Sequence, residues 1–477
     1  MVNEFGRKHR IAVLGGGPGG YEAALAGAQL GAEVTLVERR GVGGSAVLTD
    51  VVPSKTLIAT AEVATSVRGA YDLGIRLADA DGRRVAEPDN VTVDLGVVNA
   101  RLLRLASAQS ADMTAELRKA GVRVIEGEGR LDGPERLVVA ADPDRDAEGH
   151  EVPADTIVIA TGARPRELPS ARPDGERILT WTQLYAIDEL PEHLIVIGSG
   201  VTGAEFASAY RNLGAKVTLV SSRERVLPGE DADAALVLET VFARIGLDVL
   251  SKSRAETVER VGDGVRVTLS DGRIVEGSHC LMAVGSIPNT RDIGLEEAGV
   301  LLADSGHVRV NRVAGTSVPS IYAVGDCSDF LPLASVASMQ GRTAVFHAMG
   351  DVVQPAELRN VTANIFTQPE IATVGWQQPQ VEDGTVRGVI FKLPLEPNPR
   401  AKMLGIEHGF VKLFATTTTR QILGGVVVAP KASELILPIS IAVEHRLTVD
   451  ELARAFSVYP SLASSITDAA RAMHIVR

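Results

Sequence analysis

The 477-residue sequence predicts an α/β fold, with two helix-covered parallel sheets followed by a separate α+β region. Three observations carry this prediction. Short β-branched runs lead into glycine-rich turns and then into alanine-rich helical patterns, the alternation expected of parallel sheets buried on both faces. The unit occurs twice: strand 11–14, GGGPGG, helix, strand 34–37; then strand 194–197, GSGVTG, helix, strand 217–220. Two copies indicate duplication, not a solenoid. After Asp351 the glycine motifs stop, and residues 357–477 read as α+β, with strands near 410–414 and 423–429 and two helices towards the end. Between the two copies a helical pattern covers 95–120, and an Asp-rich loop covers 142–150.

The bulk properties exclude several classes. Hydrophobic residues make up 45% and charged residues 23%, an ordinary globular mix in a chain long enough for two or three cores. The formal net charge of −12 argues against nucleic acid and anionic membranes as partners. No apolar run reaches the ~18 residues a membrane span needs. The best candidate, 422–443, carries Lys431 and Glu434. The polar, basic N-terminus does not read as a signal peptide, so a cytoplasmic location is expected. Only Cys280 and Cys327 occur, which rules out a disulfide scaffold. Both read as buried packing residues. No histidine cluster or HExxH suggests a metal site.

The first glycine motif supplies Gly15, Gly17 and Gly20 between a strand and a helix. Glycine permits the tight turn and close approach of a pyrophosphate, while the helix N-terminus offers free N–H groups and a positive dipole. Glu38 ends the next strand, where a carboxylate accepts ribose hydroxyls. Strand, glycines, helix, strand and acid in register make this a dinucleotide site.

The second motif supplies Gly198, Gly200 and Gly203. Twenty-three residues after Gly198 stands Ser221, at the spacing that separates Glu38 from Gly15, and Ser222, Arg223 and Arg225 follow. Loss of the carboxylate removes repulsion of a 2′-phosphate, and the arginines attract one. NADPH is therefore expected to serve at least as well as NADH, although the same arginines also suit a solvated loop edge.

Further motifs fall in line: Ala160-Thr161-Gly162 after a strand, Ala283-Val284-Gly285, Gly325-Asp326 after strand 321–324, and GVGGSAVLTDVVPSK at 41–55. TANIFTQPEIATVG, RAKM, HGFVKLF and ILGGVVVAPKASELI follow nearer the C-terminus. Together they resemble the flavoprotein disulfide reductase family over nearly the whole chain. That resemblance implies two Rossmann-like dinucleotide-binding domains, for FAD and NAD(P)H, plus a C-terminal α+β dimerisation domain. The implied division is 1–168 and 289–356 for FAD, 169–288 for the nicotinamide, and 357–477 for a homodimer interface. It also implies that Thr161, Gly162 and Asp326 bind FAD, Asp326 at the ribityl chain, and that Gly285 belongs to the cofactor-binding set. Lys55 would sit beside flavin N5, paired with Glu205; a lysine there stabilises the charge of a reduced flavin.

The chain departs from the family at the redox disulfide. Aligned on Pro53-Ser54-Lys55, the two cysteine positions hold Ala46 and Val51. The family's C-terminal His-Pro and following Glu are replaced by Tyr459, Pro460 and Ser464. Neither Ala nor Val exchanges electrons with a dithiol. The chain therefore resembles the family's cysteine-lacking NAD(P)H-quinone dehydrogenases, with an apolar face at Ala46 and Val51 and with Tyr459, from a partner subunit, bonding an acceptor oxygen. Packing alone also explains Tyr459. A flavin-dependent oxidase, a transhydrogenase and a non-catalytic complex partner are the rival readings.

Overall fold

The computed structural model describes residues 7–76, 91–141 and 149–474, which divide into two compact units. The first comprises the chain up to Thr56, Val97–Arg166 and Gly285–Ala356; the second comprises Leu57–Gly96, Glu167–Val284 and Glu357–Arg477. The Asp-rich loop expected at 142–150 lies, as far as 148, outside the described residues.

The first unit is built on a five-stranded parallel sheet in the order Ile321–Ala323, Thr156–Ile159, Arg10–Leu14, Glu33–Glu38, Arg123–Glu126. The middle strand is apolar at every position from Ile11 to Leu14 because both faces are covered: Ile11 and Val13 pack against the helices Pro18–Gln29 and Ala334–Ala348, Ala12 and Leu14 against a small antiparallel sheet. Its register sets Leu14 beside both Val37 and Ile159, so three strand ends finish at one level. The helix Pro18–Gln29 starts there, with Gly17 as N-cap and Pro18 at the first helical position, where a missing N–H costs nothing. Small residues set how closely this helix packs. A β-carbon on Gly27 would sit 2.9 Å from Val34, and one on Gly341, in the helix Ala334–Ala348, would meet the Gly19 carbonyl at 2.1 Å. A small antiparallel sheet (Gly129–Leu131, Arg136–Val139, His150–Pro153) and a two-stranded ribbon (Ala163–Pro165 with Ser286–Pro288) complete the unit.

The second unit repeats the architecture. Its parallel sheet runs Asp248–Leu250, Lys216–Val220, His193–Ile197, His279–Met282, Ile178–Thr180. The helix Val201–Leu213 follows the second glycine turn. A three-stranded antiparallel sheet covers Ala255–Val261, Gly264–Leu269 and Ile274–Gly277. The C-terminal region of this unit is a five-stranded antiparallel sheet in the order Ala363–Ile365, Glu370–Gly375, Ile422–Ala429, Phe410–Thr416, Gly388–Pro394.

Four helices, not two, follow that sheet among the described residues: Ala432–Leu435, Leu437–Glu444, Val449–Ala453 and Ser464–Ala472. The breaks have local causes. Arg446 takes a left-handed backbone conformation (φ 54°), and Thr448 with Glu451 forms a capping box that starts a new helix. The T-x-x-E spacing was the sequence signal for that start.

Candidate functional site

The first glycine turn lies where the parallel strands of the first unit end. Gly15 has φ 102°, and a β-carbon there would sit 2.3 Å from the Ala160 carbonyl oxygen. One on Gly20 would meet the Gly15 carbonyl at 1.9 Å. These two glycines are therefore required by the protein's own backbone. Gly17 differs: a β-carbon there would meet nothing within 4 Å, because Gly17 faces a cavity. A pyrophosphate bound at the N-terminus of Pro18–Gln29 would approach from that side.

The cavity encloses about 510 Å³, within the range of small-molecule sites. Its wall brings together Gly15, Gly17, Glu38, Thr161, Gly162 and Asp326, residues far apart in sequence. Glu38 is buried, and its carboxylate accepts the N–H of Gly16 at 2.6 Å and of Arg40 at 2.8 Å. Besides facing the cavity it locks the glycine turn onto the end of the neighbouring strand, a duty the sequence alone did not disclose. Burial pushes the Asp326 carboxyl above the usual carboxylate range, and His307 opposes that only partly. The Thr161 hydroxyl is buried and makes no hydrogen bond among the described residues. A buried polar atom without a partner is uncommon, and a hydroxyl-rich ligand accounts for it. The open face of Gly17, the orphaned Thr161 hydroxyl and the raised Asp326 acid all fit FAD.

Ala46 and Val51 line the same cavity. Ala46 lies in the short helix Gly44–Leu48 and Val51 begins the helix Val51–Gly69. Lys55 is on the second turn of that helix, half-buried, and is not part of the cavity wall. Cys327 does not face the cavity. It is fully buried in the core with Leu14, Ile159 and Ala323, and its thiol donates to the Val324 carbonyl at 3.3 Å. Cys280 is buried in its strand, paired beside Ile195. Burial pushes both thiols up, so both are inert, as the sequence suggested.

In the second unit Gly198 (φ 110°) and Gly203 repeat the constraint: β-carbons there would meet the Ala283 oxygen at 2.2 Å and the Gly198 oxygen at 1.8 Å. Gly200, like Gly17, faces open space. Ser221 is fully buried, and its hydroxyl bonds Ser199 Oγ at 2.7 Å and the backbone N–H of Arg223 at 3.1 Å. Ser199 follows Gly198 as Gly16 follows Gly15, so a serine pair holds this turn where Glu38 holds the first. Ser222 and Arg223 are exposed at the strand end, whereas Arg225 donates to the carbonyls of Pro228 and Glu230.

Glu205 is buried and accepts the Phe366 N–H at 2.8 Å. With Ser208, which accepts the Gln368 N–H at 3.2 Å, and Asn212, which donates to the Gln368 side chain at 2.7 Å, it forms one face of Val201–Leu213 that holds segment 366–368. The spacing 205, 208, 212 follows the helical repeat. Gly285 (φ 93°) lies just before the strand Ser286–Pro288, and its carbonyl accepts the Arg166 N–H. Tyr459 is 79% exposed, in an apolar surface with Phe456 and Val458. Among the described residues no group of His, Cys, Asp and Glu is arranged to hold a metal, and no helix is long and apolar enough to cross a membrane.

Comparison with known proteins agrees with this architecture. The chain is 53% identical over 470 residues to an NAD(P)H dehydrogenase (quinone) of Mycobacterium tuberculosis, covering 97% of this chain and 93% of that one. It is 31% identical to a dihydrolipoyl dehydrogenase of Bacillus subtilis, over the whole of both chains. The crystal structure of LpdA from Mycobacterium tuberculosis superposes with a TM-score of 0.91 at 51% identity, covering 98% of this chain and 100% of that one. The HOCl-induced flavoprotein disulfide reductase RclA of Escherichia coli shares the fold, with a TM-score of 0.84 at 22% identity and the same coverage. Residues 9–341 match the pyridine nucleotide-disulphide oxidoreductase family and residues 361–470 match its dimerisation domain. The chain therefore belongs to the pyridine nucleotide-disulphide oxidoreductases, enzymes that depend on FAD and use NAD(P)H.

Proposed function

We propose that this enzyme is an NAD(P)H:quinone oxidoreductase that works through FAD without a redox disulfide. The observation that carries the proposal is Ala46 and Val51 on the wall of an otherwise complete dinucleotide cavity. FAD supplies two-electron chemistry when bound, accepting hydride at N5 and passing electrons to an acceptor. With no thiol on the cavity wall to relay electrons, the acceptor must meet the flavin directly. A similar chain named NAD(P)H dehydrogenase (quinone) supports a quinone in that role.

The chain's own residues bind, orient and exclude water. The N–H groups at the start of Pro18–Gln29 hold the pyrophosphate, and Glu38 keeps their turn in place. Thr161 and Asp326, both on the cavity wall, would bond the ribityl hydroxyls. Lys55 and Glu205 keep the roles the resemblance gives them. Gly198, Gly200 and Gly203 form the nicotinamide cradle, Ser222 and Arg223 meet the 2′-position of the ribose, and Gly285 keeps the cofactor-binding role the resemblance gives it. Ala46, Leu48 and Val51 offer an apolar wall to a flat acceptor. Tyr459, exposed in the single chain, is offered to a second copy across a homodimer interface formed by residues 357–477, where its hydroxyl bonds a quinone oxygen.

The test is anaerobic NADPH oxidation by the flavin-loaded protein, first with menadione and then with lipoamide and oxidised glutathione. Fast turnover with the quinone and none with the disulfides is expected. Reduction of the flavin that no quinone reverses would refute the acceptor and point to oxygen or a second nicotinamide.

A further inference from the structure

We propose that Asn289 is a positioning residue for FAD, holding the Thr161–Gly162 turn and the Arg164 guanidinium as one piece on the cavity wall. The inference rests on the placement of FAD in that cavity. All four residues line it, although 125 positions separate Arg164 from Asn289. The Asn289 amide N–H donates to the Thr161 carbonyl at 2.9 Å, its amide oxygen accepts the Arg164 guanidinium at 3.0 Å, and its backbone N–H donates to the Gly162 carbonyl at 2.9 Å. The partners fix which way the amide points, because a carbonyl only accepts and a guanidinium only donates.

This stretch of wall needs such a tie. Its backbone support is the ribbon of Ala163–Pro165 with Ser286–Pro288, and a two-stranded ribbon is marginal by itself. Each strand carries a proline, Pro165 or Pro288, which offers no N–H. Gly162 has φ 65°, so the turn beside the ribbon is built on the least restrained residue type. Asn289 follows the last pair of the ribbon, and its backbone and side chain add two further bonds across to residues 162 and 161. Arg164 is exposed, and a long side chain that swings freely loses rotamer entropy when it binds. The bond to Asn289 holds its guanidinium in place beforehand. A wall already in its binding geometry loses less entropy when FAD enters.

The test follows FAD release from the full-length holoenzyme, read as recovery of flavin fluorescence after dilution, since variants of one site differ mostly in off-rate. Asn289→Ala should release FAD roughly ten- to a hundredfold faster, the loss of one or two hydrogen bonds. Asn289→Asp keeps the acceptor for Arg164 but sets a carboxylate against the Thr161 carbonyl, so it too should release FAD faster than wild type although Arg164 stays paired. Arg164→Ala should speed release by a smaller factor. The double variant should be no faster than Asn289→Ala alone, because Arg164 is already loose once Asn289 is gone. Visible circular dichroism of the bound flavin reports its seating and not the stability of the fold, and it should shift in Asn289→Ala and in Asn289→Asp. A release rate within about threefold of wild type in both Asn289 variants, a double variant whose rate is the product of the two single effects, or an unchanged dichroism spectrum overturns the assignment. A wild-type protein that neither holds nor takes up FAD overturns the parent placement of the cofactor instead.

Discussion

Replacing Lys412 by methionine should destabilise the second unit by far more than an ordinary surface ion pair is worth. The Lys412 side chain is 1% exposed and that of Asp231 is 3% exposed. The ammonium donates to both oxygens of Asp231 at 2.8 and 2.7 Å, to Asp233 at 2.7 Å and to Gln378 at 2.6 Å, so its donors are all used. Asp231 in turn caps the helix Ala232–Arg244, accepting the N–H groups of Asp233 and Ala234. Methionine fills most of the volume but leaves a buried carboxylate unpaired, which costs about 3–5 kcal/mol. That corresponds to a fall of roughly 10²- to 10⁴-fold in the folding equilibrium of this unit. Both tryptophans, Trp181 and Trp376, belong to the second unit, so fluorescence during guanidinium unfolding follows it selectively. Adding Asp231→Asn and Asp233→Asn keeps the cap and removes the stranded charges, so the triple variant should recover most of the loss. A Lys412→Met midpoint equal to that of wild type, or a triple variant no better than the single, would refute the reasoning. The pH dependence has a definite sign. Burial raises the Asp233 pKa, but bonds from Lys412 and Lys392 outweigh it and hold this carboxyl below its ordinary value. Its contribution is present above the usual carboxylate range and is lost as pH falls through the lowered value, a loss Lys412→Met should reduce.

Three further outcomes follow from the same geometry. Gly20→Ala drives a β-carbon to 1.9 Å from the Gly15 carbonyl, so the purified variant should carry little flavin, read as the ratio of visible to protein absorbance. Arg223→Ala should raise the KM for NADPH by roughly ten- to a hundredfold, the loss of one charge-assisted hydrogen bond, with little change for NADH; equal changes for both would show that Arg223 does not read the 2′-phosphate. Burial, helped by Arg177, lowers the His279 pKa to about 4, against an ordinary 6.5. Between those values the unfolded chain binds a proton that the folded one does not, so stability should decline as pH falls from 6.5 to 4; His279→Asn should flatten that slope in urea midpoints measured across the range.

The two glycine cradles were legible in the sequence because their geometry is local. A strand, a tight turn and a helix start within a dozen residues fix where Gly15, Gly17 and Gly20 must lie, and the backbone contacts at Gly15 and Gly20 are of that short-range kind. The strands at 410–416 and 422–429 were legible from their β-branched runs, within two residues of the observed ends. That Ala46 and Val51 stand where the family carries its two redox cysteines was legible before any coordinates.

Tertiary structure decided what depends on residues distant in the chain. Lys412 meets Asp231 across 181 positions, and no periodicity marks that pair. The sequence offered Ser221 as a residue that meets the cofactor; folding buries it and gives its hydroxyl to Ser199, leaving the exposed strand end to Ser222 and Arg223. Glu38 carried a ribose-binding reading from its spacing, and only the fold revealed that its oxygens also hold the turn. The sequence read Cys327 as a packing residue, and the fold shows how: Gly325–Cys327 is a single helical turn that presents Gly325 and Asp326 to the cavity while the Cys327 thiol turns into the core. Spacing along a chain specifies which backbone turn forms; which side chain faces a ligand and which is consumed within the protein is settled when separate elements pack.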